Sequence, residues 1–362
     1  MNTTTSKRGA ILLWTLLWLV GIGMTAYAKP GDITRKKSFT KSYSVSASDK
    51  LQVDNKYGSI TVTHWNRDEV AIQVDIEVSA GAERKADDLI DRITIATRKE
   101  HGVVSATTNI QTDKGGFSGG HTSMDIKYHI QMPARLAAEL EQKYGNIHLP
   151  ESNPGPLDIT VKYGQLSAGD ITAPAEIELR YSNLEAGTLK GTELDISYAG
   201  SVRIKAADRV TIDSKYSTLS IDKADQLRME VKYGSFRIEQ GADLDLEIGY
   251  SKGEIESLDK QLKVDGLSYS NLTIEKLSPR FTGIAVEAHY GNLSVNVPAK
   301  ASFRIVAENM RYGDCSVKNL NDTKSSFEED NHTHTYEING GKQPVIHFDG
   351  GGYGNLRVRG VN

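Results

Sequence analysis

One phrase recurs along this chain: a basic residue, a tyrosine, Gly or Ser, a small polar residue, then an apolar one. It reads VKYGQLSAG from Val161, LRYSNLEAG from Leu179, SKYSTLSID from Ser214, VKYGSFRIE from Val231 and AHYGNLSVN from Ala288. The recurring tyrosines are Tyr57, Tyr144, Tyr163, Tyr181, Tyr198, Tyr216, Tyr233, Tyr250, Tyr269, Tyr290, Tyr312 and Tyr353. From Tyr144 to Tyr312 they are spaced by 19, 18, 17, 18, 17, 17, 19, 21 and 22 residues. A period this regular constrains the fold more than any bulk property, because each unit must bury its apolar face against its neighbours.

Inside a unit the apolar positions alternate. Leu157, Ile159, Val161 and Tyr163 interleave with Asp158, Thr160 and Lys162, and Leu244, Leu246, Ile248 and Tyr250 follow the same rule. Period two marks a strand with one buried face. After the tyrosine, Gly or Ser and a small polar residue predict a corner at positive φ, and a second short strand follows. Units of about 18 residues are too short for a helical crossover between parallel strands. The reading is therefore all-β: a parallel β-helix or β-solenoid with coils of about 18 residues, ten to twelve coils in all, equivalent residues stacking about 4.8 Å apart. Tandem hairpins in a sandwich, the competing all-β arrangement, would not need the same residue in register at every turn.

The tyrosine shares the parity of the buried residues, so Tyr144, Tyr163, Tyr181, Tyr198, Tyr216, Tyr233, Tyr250, Tyr269, Tyr290, Tyr312 and Tyr353 should form an internal or corner ladder. The 41-residue step to Tyr353 reads as two rungs with a degenerate turn around HTYEING. One residue before the tyrosines stands a basic row, Lys143, Lys162, Arg180, Lys215, Lys232 and Arg311 among its members. Three residues before stands an acidic row, Glu141, Glu178, Asp195, Asp213, Glu230, Glu247 and Glu287. The basic row is a candidate surface-binding stripe. Its plainer reading is a solvated face whose opposite charges compensate one another.

The chain divides into residues 1–28, a targeting segment; 29–66, first strands or coil; 67–132, an α+β insertion or N-terminal cap; and 133–362, repeats. Lys7 and Arg8, the apolar run AILLWTLLWLVGIGM and the small residues of AYA before Lys29 have the order of a cleaved secretory signal, an uncleaved anchor being the alternative. No Cys follows the apolar run, so a lipoprotein is not expected. Its removal leaves 41 basic against 47 acidic side chains, no excess that points to nucleic acid. In the insertion, EVAIQVDIEVSA reads as a strand and GAERKADDLIDRI as a helix with Ala86, Leu89, Ile90 and Ile93 on one side. ITIATRKEHGVVSATTNI reads as two strands around a turn, DKGGFSGGHTS as a loop, and MDIKYHIQMP as re-entry into the coil. At the other end GGYGNLRVRGVN reads as a nearly bare last coil, an edge that invites end-to-end self-association.

Chemistry is sparse. Cys315 is the one cysteine, so no disulfide closes within the chain, and it stands where other repeats place Ile, Leu or Phe, the place of a buried structural thiol. Serine-nucleophile, zinc-helix and P-loop motifs are absent. EEDNHTHTYE gathers Glu328, Glu329, Asp330, His332 and His334, a His-x-His that would aim both rings one way on a strand but reads first as a polar loop. His64, His121, His129 and His148 are scattered. A glycan-active site would need converging carboxylates that depart from the repeat. The departures SYAGSV, GYSKGEIES, Gly266 before Tyr269, and residues 321–335 assemble no such pair. No catalytic residue, metal or cofactor is expected.

The signal segment, the strand–helix–hairpin insertion and the KYGN(L/I)-like coils together resemble a family of bacterial exported β-strand-repeat proteins described as adhesins, similar to the head-GIN adhesin-like domains of Bacteroidetes. The resemblance covers roughly residues 40–360 and rests on repeat grammar. It implies a parallel β-helix-like fold at the cell envelope and carries over no catalytic residues. The expected function is a non-enzymatic, exported envelope protein, adhesin-like or a scaffold, binding glycan or protein along a flat face. A self-assembling structural protein and a glycan-active enzyme are the alternatives.

Overall fold

The computed structural model describes residues 32–111 and 122–361, and the targeting segment and most of the glycine-rich loop lie outside the described residues. What it describes is almost wholly β-structure. From Ala137 onward, most strands pair in parallel with the strand about one repeat further on. Ile159, Ile177, Leu194, Ile212, Met229, Leu246, Val264 and Val286 stand in one column, each beside the next. A second column runs Leu166, Leu184, Val202, Leu219, Phe236, Gly253, Leu272 and Leu293. All these side chains are buried. The columns exist because the apolar positions alternate and the repeat length is nearly constant, so a shift of one residue would turn every one of them to solvent. Size compensates locally: a Cβ at Gly253 would meet the Phe236 ring at 2.4 Å, so the phenyl fills the space that its neighbour leaves.

The N-terminal elements are β1 (Ile33–Ser44), β2 (Lys50–Trp65), β3 (Glu69–Ala80), α1 (Glu83–Asp91), β4 (Ile93–Glu100), β5 (Val103–Ile110), β6 (Thr122–Pro133) and β7 (Ala137–His148). β2 and β7 are stacked repeats in parallel register, Ile60 beside Ile147. Beneath β2 the next level is shared: β5 pairs with its first half and β6 with its second. Outward from these the pairing turns antiparallel, β6–β3–β1 on one side and β5–β4 on the other. The short helix buries Ala86 and Leu89. Arg35 of β1 ties it down by reaching Glu83 at 2.7 Å and Asp87 at 2.6 Å. Where the later coils carry Val161 or Leu179, β2 and β7 carry Asn55 and Gln142, both buried. Asn55 donates to Gln142 and to the Ile126 carbonyl, and Thr108 links it to the Tyr128 hydroxyl, so the polar atoms are satisfied.

The C-terminal end departs from the sequence expectation. Strand Val345–Asp349 pairs on one side with Gly283–His289 and on the other with Phe303–Glu308. Asn355–Val361 likewise lies between Asn292–Pro298 and Cys315–Lys318. The last segment of the chain is thus an interior rung, and residues 303–318, earlier in sequence, lie outside it. HTYEING is no degenerate turn of the ladder: Asp322–Glu328 and Thr333–Ile338 form an antiparallel hairpin against Phe303–Glu308. The coil of GGYGNLRVRGVN is not bare either, since Asn355–Val361 is paired along both edges. Spacing alone places Tyr353 two rungs beyond Tyr312. Buried Phe348, Ile346, Leu356 and Val358 place it between Tyr290 and Tyr312 instead.

Candidate functional site

The corner after each pre-tyrosine strand builds a continuous surface row of stacked tyrosines. Positive φ falls on the tyrosine itself, between 50° and 60° at Tyr57, Tyr144, Tyr163, Tyr181, Tyr198, Tyr216, Tyr233, Tyr250, Tyr269 and Tyr290, and not on the Gly or Ser that follows from Tyr144 onward. This reverses the sequence expectation for the corner. The glycines serve close approach: a Cβ at Gly164 would stand 1.7 Å from the Gly145 carbonyl oxygen. Where serine replaces glycine, its hydroxyl accepts from the backbone N–H of the preceding coil, as Ser182 does from Gly164 and Ser251 from Gly234.

The left-handed turn swings each tyrosine off the buried face that its parity predicts. The ladder is not internal: Tyr144 through Tyr353 expose 45–66% of their surface. The rings stack in parallel, centroids 4.6–5.2 Å apart, from Tyr57 through Tyr290 to Tyr353 and finally Tyr312. Eleven such steps at strand spacing span roughly 50 Å. Because each face covers its neighbour, the ladder presents ring edges and phenol hydroxyls outward.

The basic row lies beside the ladder with its partners. Lys143 meets Glu141 at 2.7 Å, Arg180 meets Glu178 at 2.6 Å, and Lys215 meets Asp213 at 3.3 Å. Lys232 binds Glu230 closely and Glu247 at 3.5 Å, and Lys162 stands 3.8 Å from Glu178. Hydrogen bonds to these carboxylates raise the pKa values of Lys143, Arg180 and Lys232. Arg311 forms no ion pair among the described residues. On the far side of the ladder a column that sequence reasoning did not single out runs Asn271, Asn292 and Asn355, where Asn292 donates to Asn271 at 2.7 Å and Asn355 to Asn292 at 2.6 Å through their side-chain amides. Its signal was the small polar residue two places after each tyrosine. A groove lined by Asn271, Thr273, Asn292, Ser294, Asn355 and Arg357 follows it.

Elsewhere the carboxylates stay in rows. Asp54 stands opposite Glu141, and burial, then that neighbour, push its carboxyl up. Among the described residues no group of three or more His, Cys, Asp or Glu could hold a metal. His332 and His334 flank Phe327 in the hairpin, the His334 ring 4.6 Å from it. Cys315 occupies the apolar column beside Leu356 but is only half-buried, and desolvation raises its thiol to about 11. No described helix is long and apolar enough to cross a membrane.

No family model matches the chain, and no curated protein does. It is similar to a solved candidate cell-adhesion protein from Clostridium sporogenes, with 10% identity and a TM-score of 0.22, covering 90% of this chain and 100% of that one. It is similar to a candidate adhesin from Parabacteroides distasonis, with 12% identity and a TM-score of 0.33, covering 72% and 93%. A candidate lipid-binding protein from the same organism has 11% identity and a TM-score of 0.26, covering 90% and 97%. Bacterial proteins named for adhesion, and one named for lipid binding, are what this chain is similar to.

Proposed function

We propose that this is a non-enzymatic, adhesin-like protein of the bacterial envelope, exported through the segment 1–28, whose stacked coils form a β-solenoid. Its tyrosine ladder engages an extended extracellular glycan or protein. The cap is the α+β segment 67–132, and no cofactor or nucleic acid takes part. One observation carries the reading. Nine tyrosines, Tyr144 through Tyr290, hold left-handed backbone while about half exposed. Glycine or asparagine would make the same turn at less cost, so a corner that needed only its backbone would not retain a large ring. A row of hydroxyls and ring edges beside an amide column suits a long polar partner that meets many equivalent positions at once.

The test is binding of the purified chain to arrayed envelope polysaccharides and proteins, repeated with Tyr181→Asn, Tyr198→Asn and Tyr216→Asn combined. Asparagine keeps the turn and removes the rings. The expected result is retention of the natural chain on one polymer class and at least a tenfold weaker signal for the folded variant. Equal binding by both would remove the ladder from the function.

A further inference from the structure

The two ends of the molecule carry strand edges of opposite charge. At the N-terminal end β1 pairs with β3 alone among the described strands, so its other edge has no strand partner there, although Lys99 reaches the Ser44 carbonyl at 2.7 Å. Its sequence, ITRKKSFTKSYS, holds Arg35, Lys36, Lys37 and Lys41 and no acid. Arg35 and Lys36 bind Glu83, Asp87 and Glu77, whereas Lys37 and Lys41 form no ion pair among the described residues. At the other end Asp322–Glu328 pairs, among the described residues, only with Thr333–Ile338, and all seven of its residues are exposed, Phe327 by 51%. Asp322 and Glu328, with Glu329 and Asp330 in the adjoining turn, outnumber Lys324, and none of these acids is ion-paired among the described residues.

An exposed edge strand is a template for another chain, and charge is the usual device that blunts it. Charge of one sign blunts only like edges. β1 against a second β1 would set cations beside cations, and two hairpin edges would set acids beside acids. The unlike pairing gains from the same residues. We propose that the acidic edge Asp322–Glu328 of one copy adds, strand to strand, to the basic β1 edge of a second copy. The partner is this chain itself, joined head to tail. Because the two surfaces differ, the contact does not close on itself and extends into filaments. The seven-residue edge fits wholly within the twelve-residue one. This assembly replaces the end-to-end contact expected of the last coil, whose edges are both occupied, and it does not depend on what the tyrosine ladder binds.

Sedimentation velocity over a concentration series tests it, at about 0.01 M and about 1 M salt, where the screening length falls from roughly 30 Å to 3 Å. The expected result is a mass that grows with concentration at low salt and a monomer at high salt. Two exposed charge reversals sharpen the test, Lys37→Glu with Lys41→Glu, and Glu328→Lys with Glu329→Lys. Each variant alone should stay monomeric at low salt, since both its ends then carry one sign. Their mixture should assemble again. A monomer at every concentration for the natural chain, or assembly that both reversals leave unchanged, overturns the proposal.

Discussion

At the scale of the residue, the corner tyrosine combines an unfavourable backbone with a favourable ring. A left-handed conformation costs a residue with a Cβ about 1–2 kcal/mol, and a stacked aromatic pair contributes about 0.5–1.5 kcal/mol beyond its buried area. The two nearly offset, so the ladder is held by the coils rather than holding them. The buried Tyr128 is the opposite case. Its ring occupies the column beside Ile60, its hydroxyl meets Thr108 at 2.9 Å, and desolvation raises its pKa from 10.0 to about 12. The folded state keeps that proton more tightly than the unfolded chain does. The stabilisation is therefore complete below pH 10 and is lost as pH rises from 10 towards about 12. Over two units this amounts to about 2–3 kcal/mol. Denaturant midpoints of the natural chain should fall more steeply across that window than those of Tyr128→Phe. Parallel curves for the two would show that Tyr128 does not carry the alkaline sensitivity.

At the scale of the element, the inserted segment Val345–Val361 governs the C-terminal end. It supplies buried Ile346, Phe348, Leu356 and Val358 to the columns, each burial contributing roughly 1.5–3 kcal/mol. It also separates residues 303–318 from the coil before them. A chain ending at Pro344 should retain its earlier coils and lose amide protection across residues 303–338. Hydrogen exchange read by mass spectrometry distinguishes this from an end coil that redocks by itself, which would keep its protection. Elsewhere the elements were legible. EVAIQVDIEVSA is β3 from its first residue to its last, and ITIATRKEHGVVSATTNI is β4 and β5 around a two-residue turn. The helix is shorter than the segment GAERKADDLIDRI by two residues at each end, Ile93 having joined β4.

At the scale of the whole molecule, most contacts join one coil to the next, so stability should add from neighbour to neighbour. Protection against exchange is expected to be greatest in the long central strands, Val202–Lys215 through Lys252–Ser268, and to decline towards both ends. Protection uniform along the chain, collapsing in one step, would contradict a nearest-neighbour account. The sequence by itself determined the β class, the rung positions up to Tyr290, the columns that fill the interior and the rows of opposite charge, because alternation and a regular period act locally and repeat. It also marked the tyrosines and the basic row of the candidate site. Only the tertiary structure decided on which side of the backbone the tyrosines lie, since the sign of φ at a corner follows from how closely adjacent coils approach, and parity assumes an unbroken strand. Only it decided the order of the last rungs, because a strand takes the place where its buried side chains and both edges are satisfied, and nothing in the spacing requires that place to follow the order of the chain.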